Sequence, residues 1–318
     1  MSSFDLITMG RVGVDLYPNQ SEVTLDKVTS FSRFLGGSAT NVAVAAARYG
    51  TSAAVITKVG EDPFGTYVRE ALEGFGVDPR WVGTDPDLRT PIVFCEIHPP
   101  DDFPLLFYRE PQAPDMMLRV DELDFDQIRA ARVFWTTGTG LSAEPSREAT
   151  LAALASRDEA GEGSITIHDL DHRPMFWDDA SAATRCAREA LAHVDVAVGN
   201  RDEVEVATGS REPVEAAARL LELGVKIAII KQGPDGVYVR TADREFEVPP
   251  IRIDVVNGLG AGDAFGGALV RGLLDGEDLE VVIAKANAAG AYVSGHLACA
   301  DAMPDRTALS RFMEEAGR

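Results

Sequence analysis

The residue that points most directly to chemistry is Asp263, which ends the glycine-rich stretch Gly258-Leu259-Gly260-Ala261-Gly262. The apolar run Ile251–Val256 precedes this stretch and the apolar-periodic run Ala264–Leu274 follows it, so the pattern predicts a strand, a tight turn and a helix. Glycines admit a ligand close to the backbone, and the unpartnered N–H groups of a first helical turn favour an anion such as phosphate. An acid beside such a turn suggests a base that takes a proton from an attacking hydroxyl; the simpler alternative is a helix cap. We favour the base, because one glycine would be enough to end a strand.

A second glycine turn before a helix lies at Gly36 and Gly37, and Asn41 follows it. Paired glycines would admit a hydroxylated ligand, and the Asn41 amide offers both a donor and an acceptor, although small residues here also suit tight helix packing. Asp15 follows the first predicted strand, where it could accept hydrogen bonds from sugar hydroxyls or form a turn. Its position at the edge of a sheet tips the choice towards a ligand.

Three further segments could hold a nucleotide and its metal. Asn200 and Glu203 have the spacing of a capping box, and Glu203 could also hold waters around Mg²⁺. The segment from Lys231 through Gly233 to Gly236 is a turn sequence, and we expect a hairpin there unless a nucleotide lies along this edge, where Gly233 would give the backbone access to it. Asn287, a single polar residue among alanines of a predicted helix, could meet an adenine ring or solvent.

Two arginines could bind a carboxylate. Arg109 ends a strand-like run, and Arg173 lies in the segment His168-Asp169-Leu170-Asp171-His172-Arg173-Pro174. The planar guanidinium fits a carboxylate through two parallel hydrogen bonds, although a single arginine is more often an exposed ion-pair partner. Two arginines in one pocket would indicate an acidic sugar.

Composition limits the class of protein. The chain has 318 residues, 45% of them hydrophobic and 25% charged, which is ordinary for a globular protein. The formal charge of −21 disfavours nucleic acid and anionic membrane as partners. The three cysteines lack metal-ligand spacing and predict a reducing compartment. Without a leader pattern or a run of about 20 apolar residues, we expect a cytoplasmic protein.

Short β-rich runs alternate with helical patterns, which predicts an α/β fold with a mostly parallel central sheet and helices on both faces. The predicted strands are Leu6–Met9, Ala53–Val59, Val133–Thr136, Ile165–Asp169, Val194–Val198 and Ile227–Lys231. The predicted helices are Thr40–Tyr49, Gly65–Glu73, Ser146–Ser156, Ala180–Ala192, Asp202–Thr208, Val214–Leu223, Leu279–Ser294 and Thr307–Glu315.

Two regions interrupt this alternation, at about 11–35 and 89–111. They indicate a small β-sheet inserted twice into one domain that spans residues 1–318. Such a sheet at the rim could close over a substrate as a lid. A hairpin without a binding role or a dimer contact would look the same in sequence, and a lid can also be a dimer contact. We expect a homodimer formed through this sheet.

These segments together resemble the ribokinase-like, or PfkB, family of carbohydrate kinases, over nearly the whole chain. The resemblance implies a ribokinase-like fold that binds ATP and Mg²⁺, and leaves a monovalent cation open. It implies that Asp263 is the catalytic base and that the N–H groups of Gly260, Ala261 and Gly262 stabilise the transferring phosphoryl group. The sugar-binding positions would be Asp15, Gly36, Gly37 and Asn41. Asn200 and Glu203 match the metal and phosphate motif, Gly233 and Gly236 the nucleotide-binding turn, and Asn287 a residue near adenine. One departure is Asn257, where the family commonly has an acid that could serve the metal shell.

Within the family, several segments are similar to kinases of 5-dehydro-2-deoxygluconate in myo-inositol catabolism: Phe4–Pro18, Phe34–Asn41, Tyr108–Pro114 and Asp169–Pro174. This similarity implies transfer of phosphate from ATP to the terminal hydroxyl of a keto-deoxy sugar acid, which gives the 6-phosphate. The alternatives are a 2-keto-3-deoxygluconate kinase, another PfkB sugar kinase such as a fructokinase or ribokinase, or a noncatalytic sugar or nucleotide sensor. A dinucleotide oxidoreductase is disfavoured, because the glycine stretch lacks the register of Gly-x-Gly-x-x-Gly and is not in a first βαβ unit.

Overall fold

The computed structural model describes residues 3–20 and 22–317, in which strands and helices alternate along most of the chain. The strands are β1 (Leu6–Met9), β2 (Gly13–Pro18), β3 (Phe31–Gly36), β4 (Ala53–Gly60), β5 (Val77–Asp78), β6 (Val82–Asp85), β7 (Ile92–Cys95), β8 (Leu105–Tyr108), β9 (Val133–Thr137), β10 (Ile165–Asp169), β11 (Val196–Asn200), β12 (Ile227–Lys231), β13 (Val237–Thr241) and β14 (Glu245–Val248). The helices are α1 (Ser38–Arg48), α2 (Pro63–Gly74), α3 (Phe125–Ala130), α4 (Ser146–Ser156), α5 (Ala180–Leu191), α6 (Arg201–Thr208), α7 (Pro213–Glu222), α8 (Ala261–Asp275), α9 (Leu279–Ser294) and α10 (Arg306–Glu315).

One compact unit comprises the residues up to Gly10 together with Met116–Pro250. Its strands lie in the order β14-β13-β12-β11-β10-β9-β1. Strands β1, β9, β10, β11 and β12 pair in parallel, and β13 and β14 are antiparallel. The parallel strands are buried over most of their length, as expected for strands covered on both faces. The predicted mostly parallel sheet is therefore confirmed.

The other unit comprises Arg11–Asp115 and the chain from Ile251 onwards. Here β4 pairs in parallel with both β5 and β6. A separate small sheet has the strand order β3-β2-β7-β8, with β2 and β7 parallel and the outer pairs antiparallel. Its strands come from the two regions that interrupt the sequence pattern, so the predicted small sheet is confirmed, whereas its action as a lid stays a prediction.

The small sheet has two different faces. On one face Tyr17, Val93 and Cys95 form a buried cluster with partly buried neighbours that include Phe34 and Phe107. On the other face the ring of Phe94 packs edge-on against the rings of Phe31 and Tyr108. Tyr108 is 60% exposed and Leu106, also on β8, is 47% exposed. The sheet therefore buries one face within its unit and leaves apolar side chains of β8 open on the other.

The prediction of a strand over Ile251–Val256 is wrong, because this segment is irregular. Pro249 and Pro250 precede it, and since proline has no N–H to donate, the ladder of β14 ends at Val248. The N–H groups of Val256 and Asn257 instead donate to the carbonyl of Ser294, at 2.8 Å and 3.1 Å. The glycine-rich turn is thus anchored to the end of α9 and not to a sheet.

No helix among the described residues is both long enough and apolar enough to cross a bilayer. The cysteines Cys95, Cys186 and Cys299 are buried free thiols.

Helices α1 and α8 pack closely because both present small residues at their contact. A Cβ atom added to Gly267 would lie 2.2 Å from the Cβ of Ala45 and 2.7 Å from the backbone nitrogen of Ala46. Only glycine therefore permits this separation. Gly267 lies two turns into α8 and Ala45 two turns into α1, so the contact brings the N-terminal turns of the two helices together.

We expect Gly267→Ala to lower the free energy of unfolding by about 1–3 kcal/mol, because the added methyl group meets backbone atoms that cannot rotate away. The matched control is Gly74→Ala at the end of α2, where the space around an added Cβ is open within 4 Å. The control should be neutral or raise stability by up to about 1 kcal/mol, since alanine favours helix. Urea titration of both variants measures the difference, and equal stabilities would contradict the packing argument.

Candidate active site

Two glycine turns begin the helices that carry the first group of candidate residues. Gly37 is the N-cap of α1 with φ of 100°, and Gly260 is the N-cap of α8 with φ of 80°. An added Cβ would lie 2.5 Å from the carbonyl oxygen of Arg11 at Gly37, and 2.7 Å from the Sγ of Cys299 at Gly260. Both positions therefore require glycine for its backbone conformation and for its lack of a side chain. The first-turn N–H groups of α1 and α8 have no partner within their own helix.

Asp263 is the third residue of α8, and its carboxylate contacts the N-terminus of α1. Ser38 Oγ donates to Asp263 Oδ1 at 2.7 Å, and Asn41 Nδ2 donates to Asp263 Oδ2 at 2.8 Å. The N-cap of α8 is Gly260, so the alternative that Asp263 serves as this cap is wrong. The half-buried carboxylate is instead held in a fixed orientation by two side chains of another helix.

Asn41 also offers a hydrogen-bond acceptor beside Asp263, its side-chain oxygen Oδ1. Its side chain is 3% exposed, and its Nδ2 is committed to Asp263. The Oδ1 atom is buried and receives no hydrogen bond from the residues that the structure describes. Because a buried carbonyl oxygen without a partner is costly, the arrangement suits a ligand that brings a hydroxyl donor.

Asp15, on β2, lies against Gly36 at the end of β3. An added Cβ at Gly36 would be 2.1 Å from Asp15 Oδ1, so glycine makes room for this carboxylate. Asp15 is buried, and burial raises its pKa to about 7. The Asp263 carboxylate acts in the same direction, whereas Arg11 and a hydrogen bond from Tyr17 oppose the rise. The electrostatic interaction of Asp15 with Asp263 places the two acids in one cluster.

Arg109 is committed to a neighbouring acid. Its Nη1 and Nη2 donate to the two oxygens of Asp115, and this ion pair is almost fully buried. Asp115 Oδ2 also accepts the backbone N–H of Val12, at 3.0 Å. Arg109 therefore holds the segment between β1 and β2 through Asp115, and binding of a ligand carboxylate by Arg109 stays a prediction.

A second group of candidates lies in the other unit, where the parallel strands β10, β11 and β12 end. Asp169, Asn200 and Lys231 are the last residues of these strands, and Asn200 and Lys231 are register partners. Lys231 Nζ is 3.6 Å from Asp169 Oδ2. This edge of an α/β sheet is where ligands commonly bind.

Glu203 belongs to this second group. Asn200 N–H donates to Glu203 Oε2 at 2.7 Å and Glu203 N–H donates to Asn200 Oδ1 at 2.9 Å, so the predicted capping box is present at the start of α6. Burial raises the pKa of Glu203 to about 7; Asp169 adds to the rise and Lys231 opposes it. Burial also raises the pKa of Asp169. Lys231 is thus the counter-charge of two buried acids, and not an isolated surface lysine.

Arg173 and the glycines after β12 are in the same unit. Arg173 Nε donates to Asp171 Oδ1 at 3.1 Å, and the Arg173 side chain is 39% exposed. β12 and β13 form the expected antiparallel hairpin, with Gly233 and Gly236 in the connecting turn at positive φ. The space around an added Cβ at Gly233 is open within 4 Å, so its backbone is accessible, whereas a Cβ at Gly236 would meet the carbonyl of Val248 at 2.2 Å.

Asn287 and Asn257 lie in the unit of the first group. Asn287 is half-buried on α9, three residues before Gly290, at which an added Cβ would be 3.0 Å from the carbonyl oxygen of Ala261. Asn257 is fully buried; its Nδ2 donates to the carbonyl of Leu297 at 2.6 Å, and its Oδ1 accepts the N–H of Leu259 at 3.0 Å. An ionised aspartate could not donate to the Leu297 carbonyl, and this hydrogen bond explains why an asparagine is found at this position.

The chain matches the family described as pfkB family carbohydrate kinase over residues 3–306. It belongs to the pfkB family of carbohydrate kinases. A 5-dehydro-2-deoxygluconokinase of Photobacterium profundum is 34% identical over 318 residues, which cover 98% of this chain and 95% of that protein.

Two solved structures of sugar kinases have the same fold as this pfkB chain. The aminoimidazole riboside kinase of Salmonella enterica, complexed with aminoimidazole riboside and an ATP analog, is 27% identical with a TM-score of 0.80, and the match covers 97% of this chain and 99% of that one. A fructokinase double mutant of Vibrio cholerae with bound fructose, ADP and potassium is 24% identical with a TM-score of 0.85, and the match covers 98% and 99%. The ribokinase-like fold is confirmed.

The sequence reasoning missed several residues that interact with the candidate residues of this pfkB kinase. Ser38 lies inside the second glycine motif, and its position just after Gly37 could have drawn attention to it. Arg11 and Asp169 lie close in sequence to candidate residues but had no role assigned to them. Tyr17 and Cys299 are 282 positions apart and only the fold brings them together.

The raised pKa of Asp15 predicts how stability depends on pH in this pfkB kinase. Between the ordinary aspartate pKa of 3.8 and about 7, the folded state keeps the Asp15 proton and the unfolded state releases it. Wild-type stability therefore loses on the order of a few kcal/mol through Asp15 as pH rises across this window, and the loss is constant above it.

Asp15→Asn removes this titration, so its stability relative to wild type should rise from pH 4 to pH 7 and then level off. Thermal and urea unfolding at several pH values measure the difference. Asp243→Asn, in an exposed turn, is the control and should show a flat difference. A flat difference for Asp15→Asn as well would show that Asp15 has an ordinary pKa.

Proposed function

We propose that this protein is an ATP- and Mg²⁺-dependent kinase that phosphorylates 5-dehydro-2-deoxy-D-gluconate on its terminal hydroxyl, giving the 6-phosphate in myo-inositol catabolism. The observation that carries the proposal is the Asp263 carboxylate, fixed by Ser38 and Asn41 within the first turn of a helix that starts with a glycine turn. The substrate follows the name of the relative from Photobacterium profundum. Family membership supports the reaction class.

Asp263 accepts the proton of the sugar hydroxyl as that oxygen bonds to the γ-phosphorus of ATP. The bond between the γ-phosphorus and the bridging oxygen breaks, and ADP leaves with that electron pair. The N–H groups at Gly260, Ala261 and Gly262, in the N-terminal turn of α8, donate to the oxygens of the transferring group, where charge is largest. A base in this position contributes about 10²–10⁴ to the rate. The hydrogen bonds that Asp263 accepts from Ser38 and Asn41 keep its ionised carboxylate in one orientation.

The sugar is held through its hydroxyls by the first group of residues. Asp15 accepts from hydroxyls in its ionised form. Gly36 makes room for this carboxylate and Gly37 for the backbone at Arg11, so both glycines support the sugar-binding positions. The unpartnered Asn41 Oδ1 accepts one more hydroxyl. Arg109 or Arg173 binds the carboxylate; the side chain of Arg173 is 39% exposed, whereas the guanidinium of Arg109 forms a buried ion pair with Asp115, which favours Arg173.

The residues of the second group are assigned to the nucleotide and its metal. Gly233 and Gly236 form the turn along which the nucleotide lies, Asn287 contacts adenine, and Asn200 and Lys231 contact phosphate oxygens. The donor set fits Mg²⁺, because the buried carboxylate of Glu203 supplies an oxygen ligand and Mg²⁺ keeps waters for its other positions. When bound, Mg²⁺ neutralises charge on the phosphate oxygens. The proposal leaves open whether a monovalent cation also binds.

A homodimer through the small sheet, closure of that sheet as a lid, and a cytoplasmic location belong to the same proposal. The exposed Leu106 and Tyr108 on β8 support a contact between copies, because large apolar side chains on a sheet face favour burial. The buried free thiols are compatible with a reducing compartment.

Asp263→Asn should lower kcat by at least two orders of magnitude, in line with the general-base contribution of about 10²–10⁴, while sugar binding changes little. The amide keeps an acceptor for Ser38 or Asn41 but cannot take a proton. Coupled ADP release measures kcat, and calorimetric titration with the sugar acid measures binding. Asp243→Asn is the matched control on the surface, and near-normal turnover of Asp263→Asn would reject the base.

Substrate class is tested by ADP release with 5-dehydro-2-deoxygluconate, 2-keto-3-deoxygluconate, gluconate, fructose and ribose, all with ATP and Mg²⁺. We expect a higher kcat/KM for the sugar acids than for fructose or ribose, because a guanidinium recognises the carboxylate. Among the acids we expect 5-dehydro-2-deoxygluconate to be best, in line with the name of the relative from Photobacterium profundum. A higher value for fructose or ribose would contradict the acid-binding argument. Stabilisation by a sugar acid without ADP release would indicate a sensor.

A further inference from the structure

A buried hydrogen-bonded chain connects the sugar-binding acid with a cysteine from the C-terminal region. Tyr17 Oη donates to Asp15 Oδ2 at 3.4 Å and lies 2.7 Å from Cys299 Sγ. All three residues are buried, and Tyr17 is 0% exposed. The tyrosine hydroxyl is therefore closer to the thiol than to the carboxylate.

The same cysteine contacts the glycine turn of α8. An added Cβ at Gly260 would lie 2.7 Å from Cys299 Sγ and 2.9 Å from Cys299 Cβ. Cys299 therefore packs directly against the backbone at Gly260. One side chain touches both the hydroxyl that serves Asp15 and the turn that begins the helix of Asp263.

Cys299 keeps its proton. Burial raises the pKa of this thiol well above its ordinary value, and the Asp15 carboxylate adds to the rise. Burial also raises the pKa of Tyr17. Tyr17 has one hydroxyl hydrogen, so when this hydrogen is donated to Asp15 Oδ2 the Cys299 S–H is the donor to Tyr17 Oη. A neutral thiol is a weak donor but has the volume to support the turn.

We propose that Tyr17 and Cys299 are positioning residues that link the sugar-binding carboxylate to the phosphoryl-binding turn. The thiol draws the Tyr17 hydroxyl away from Asp15 and fills the space against Gly260. Loss of the hydroxyl removes a donor from Asp15, whereas loss of the thiol lets the hydroxyl move closer to Asp15. The kinetic consequences rest on the proposed function; the effect on Asp15 does not.

Other charged and titratable groups surround this chain and stay the same in the variants below. For Asp15, Tyr17 and Cys299 they come from the segment after β1, from β7, from α2, from α8 and from the segment after α9: Arg11, Cys95, Tyr67, Asp263 and Asp301. Since none of these is altered, a change in the titration of Asp15 between variants reports on Tyr17 and Cys299.

The first test uses stability alone. The Asp15→Asn substitution is made in wild type, Tyr17→Phe, Cys299→Ala and Cys299→Ser, and the midpoint of its effect on unfolding free energy against pH gives the titration of Asp15 in each background. Tyr17→Phe should move the midpoint up and Cys299→Ala should move it down, since a hydrogen bond to the carboxylate favours its charged form. A change of about one unit in the folded-state pKa moves this midpoint by about half a pH unit, because the unfolded-state pKa sets the other end of the titration range. Cys299→Ser keeps a donor to Tyr17, so the midpoint in this background should equal that of wild type.

Controls make the result specific. Cys186→Ala removes a buried thiol from the other unit and should leave the midpoint in place. If Cys299→Ala does not fold, Cys299→Val fills the volume without a donor and takes its place. Midpoints that move in the same direction for Tyr17→Phe and Cys299→Ala, or that do not move, would overturn the proposal, because simple loss of packing cannot produce opposite shifts.

The second test is kinetic. Cys299→Ala should lower kcat by about tenfold, because a small displacement of groups that stabilise a transition state is costly. Tyr17→Phe should act mainly on the KM for the sugar, and Cys299→Ser should recover most of the lost kcat. Equal kcat losses for Ala and Ser would reject the link to the turn. If wild type releases no ADP with any sugar acid, the proposed function fails, whereas opposite midpoint shifts would still support the chain from Cys299 to Asp15.

Discussion

The contact of the Asp263 carboxylate with Ser38 and Asn41 depends on how closely two helices approach. Gly267 of α8 fits against Ala45 of α1 with no room for a methyl group. The glycines at both N-caps then let each helix begin where side chains would otherwise collide with backbone or with Cys299. An acid, an amide and a hydroxyl from distant parts of the sequence thereby meet beside N–H groups that helix geometry leaves unpartnered.

Electrostatics explains why such an arrangement is unusual and useful. Burial makes Asp15 costly to charge, and repulsion from Asp263 adds to this cost. Arg11 offsets part of this cost, and the hydroxyl of Tyr17 offsets a smaller part. In a chain with a formal charge of −21, anion binding cannot come from the overall field. Under the proposed function it has to come from local N–H groups, such as those in the first turn of α8, and from a few cations.

Local patterns predicted the elements well where hydrophobic periodicity and turn chemistry agree. The strand from Leu6 to Met9 and the helix from Ser146 to Ser156 have the predicted bounds. The apolar run Ile251–Val256 failed because two prolines before it removed the donors of a ladder, which periodicity alone does not register. The glycine motifs located the first group of candidates, but the partners of Asp15 were hidden, since Tyr17 and Cys299 become neighbours only through tertiary packing.

Asn257 shows how a departure from a family pattern can be read physically. Its amide donates to Leu297 and accepts from Leu259, so it ties the segment before the glycine turn to the segment after α9, which carries Cys299 two residues beyond Leu297. A carboxylate could make only the second of these bonds and would repel the Leu297 carbonyl. The asparagine therefore lacks the charge of an aspartate but gains a hydrogen bond that ties together the two segments that meet at Gly260. The residue type at position 257 and the support of the glycine turn thus depend on the same contacts.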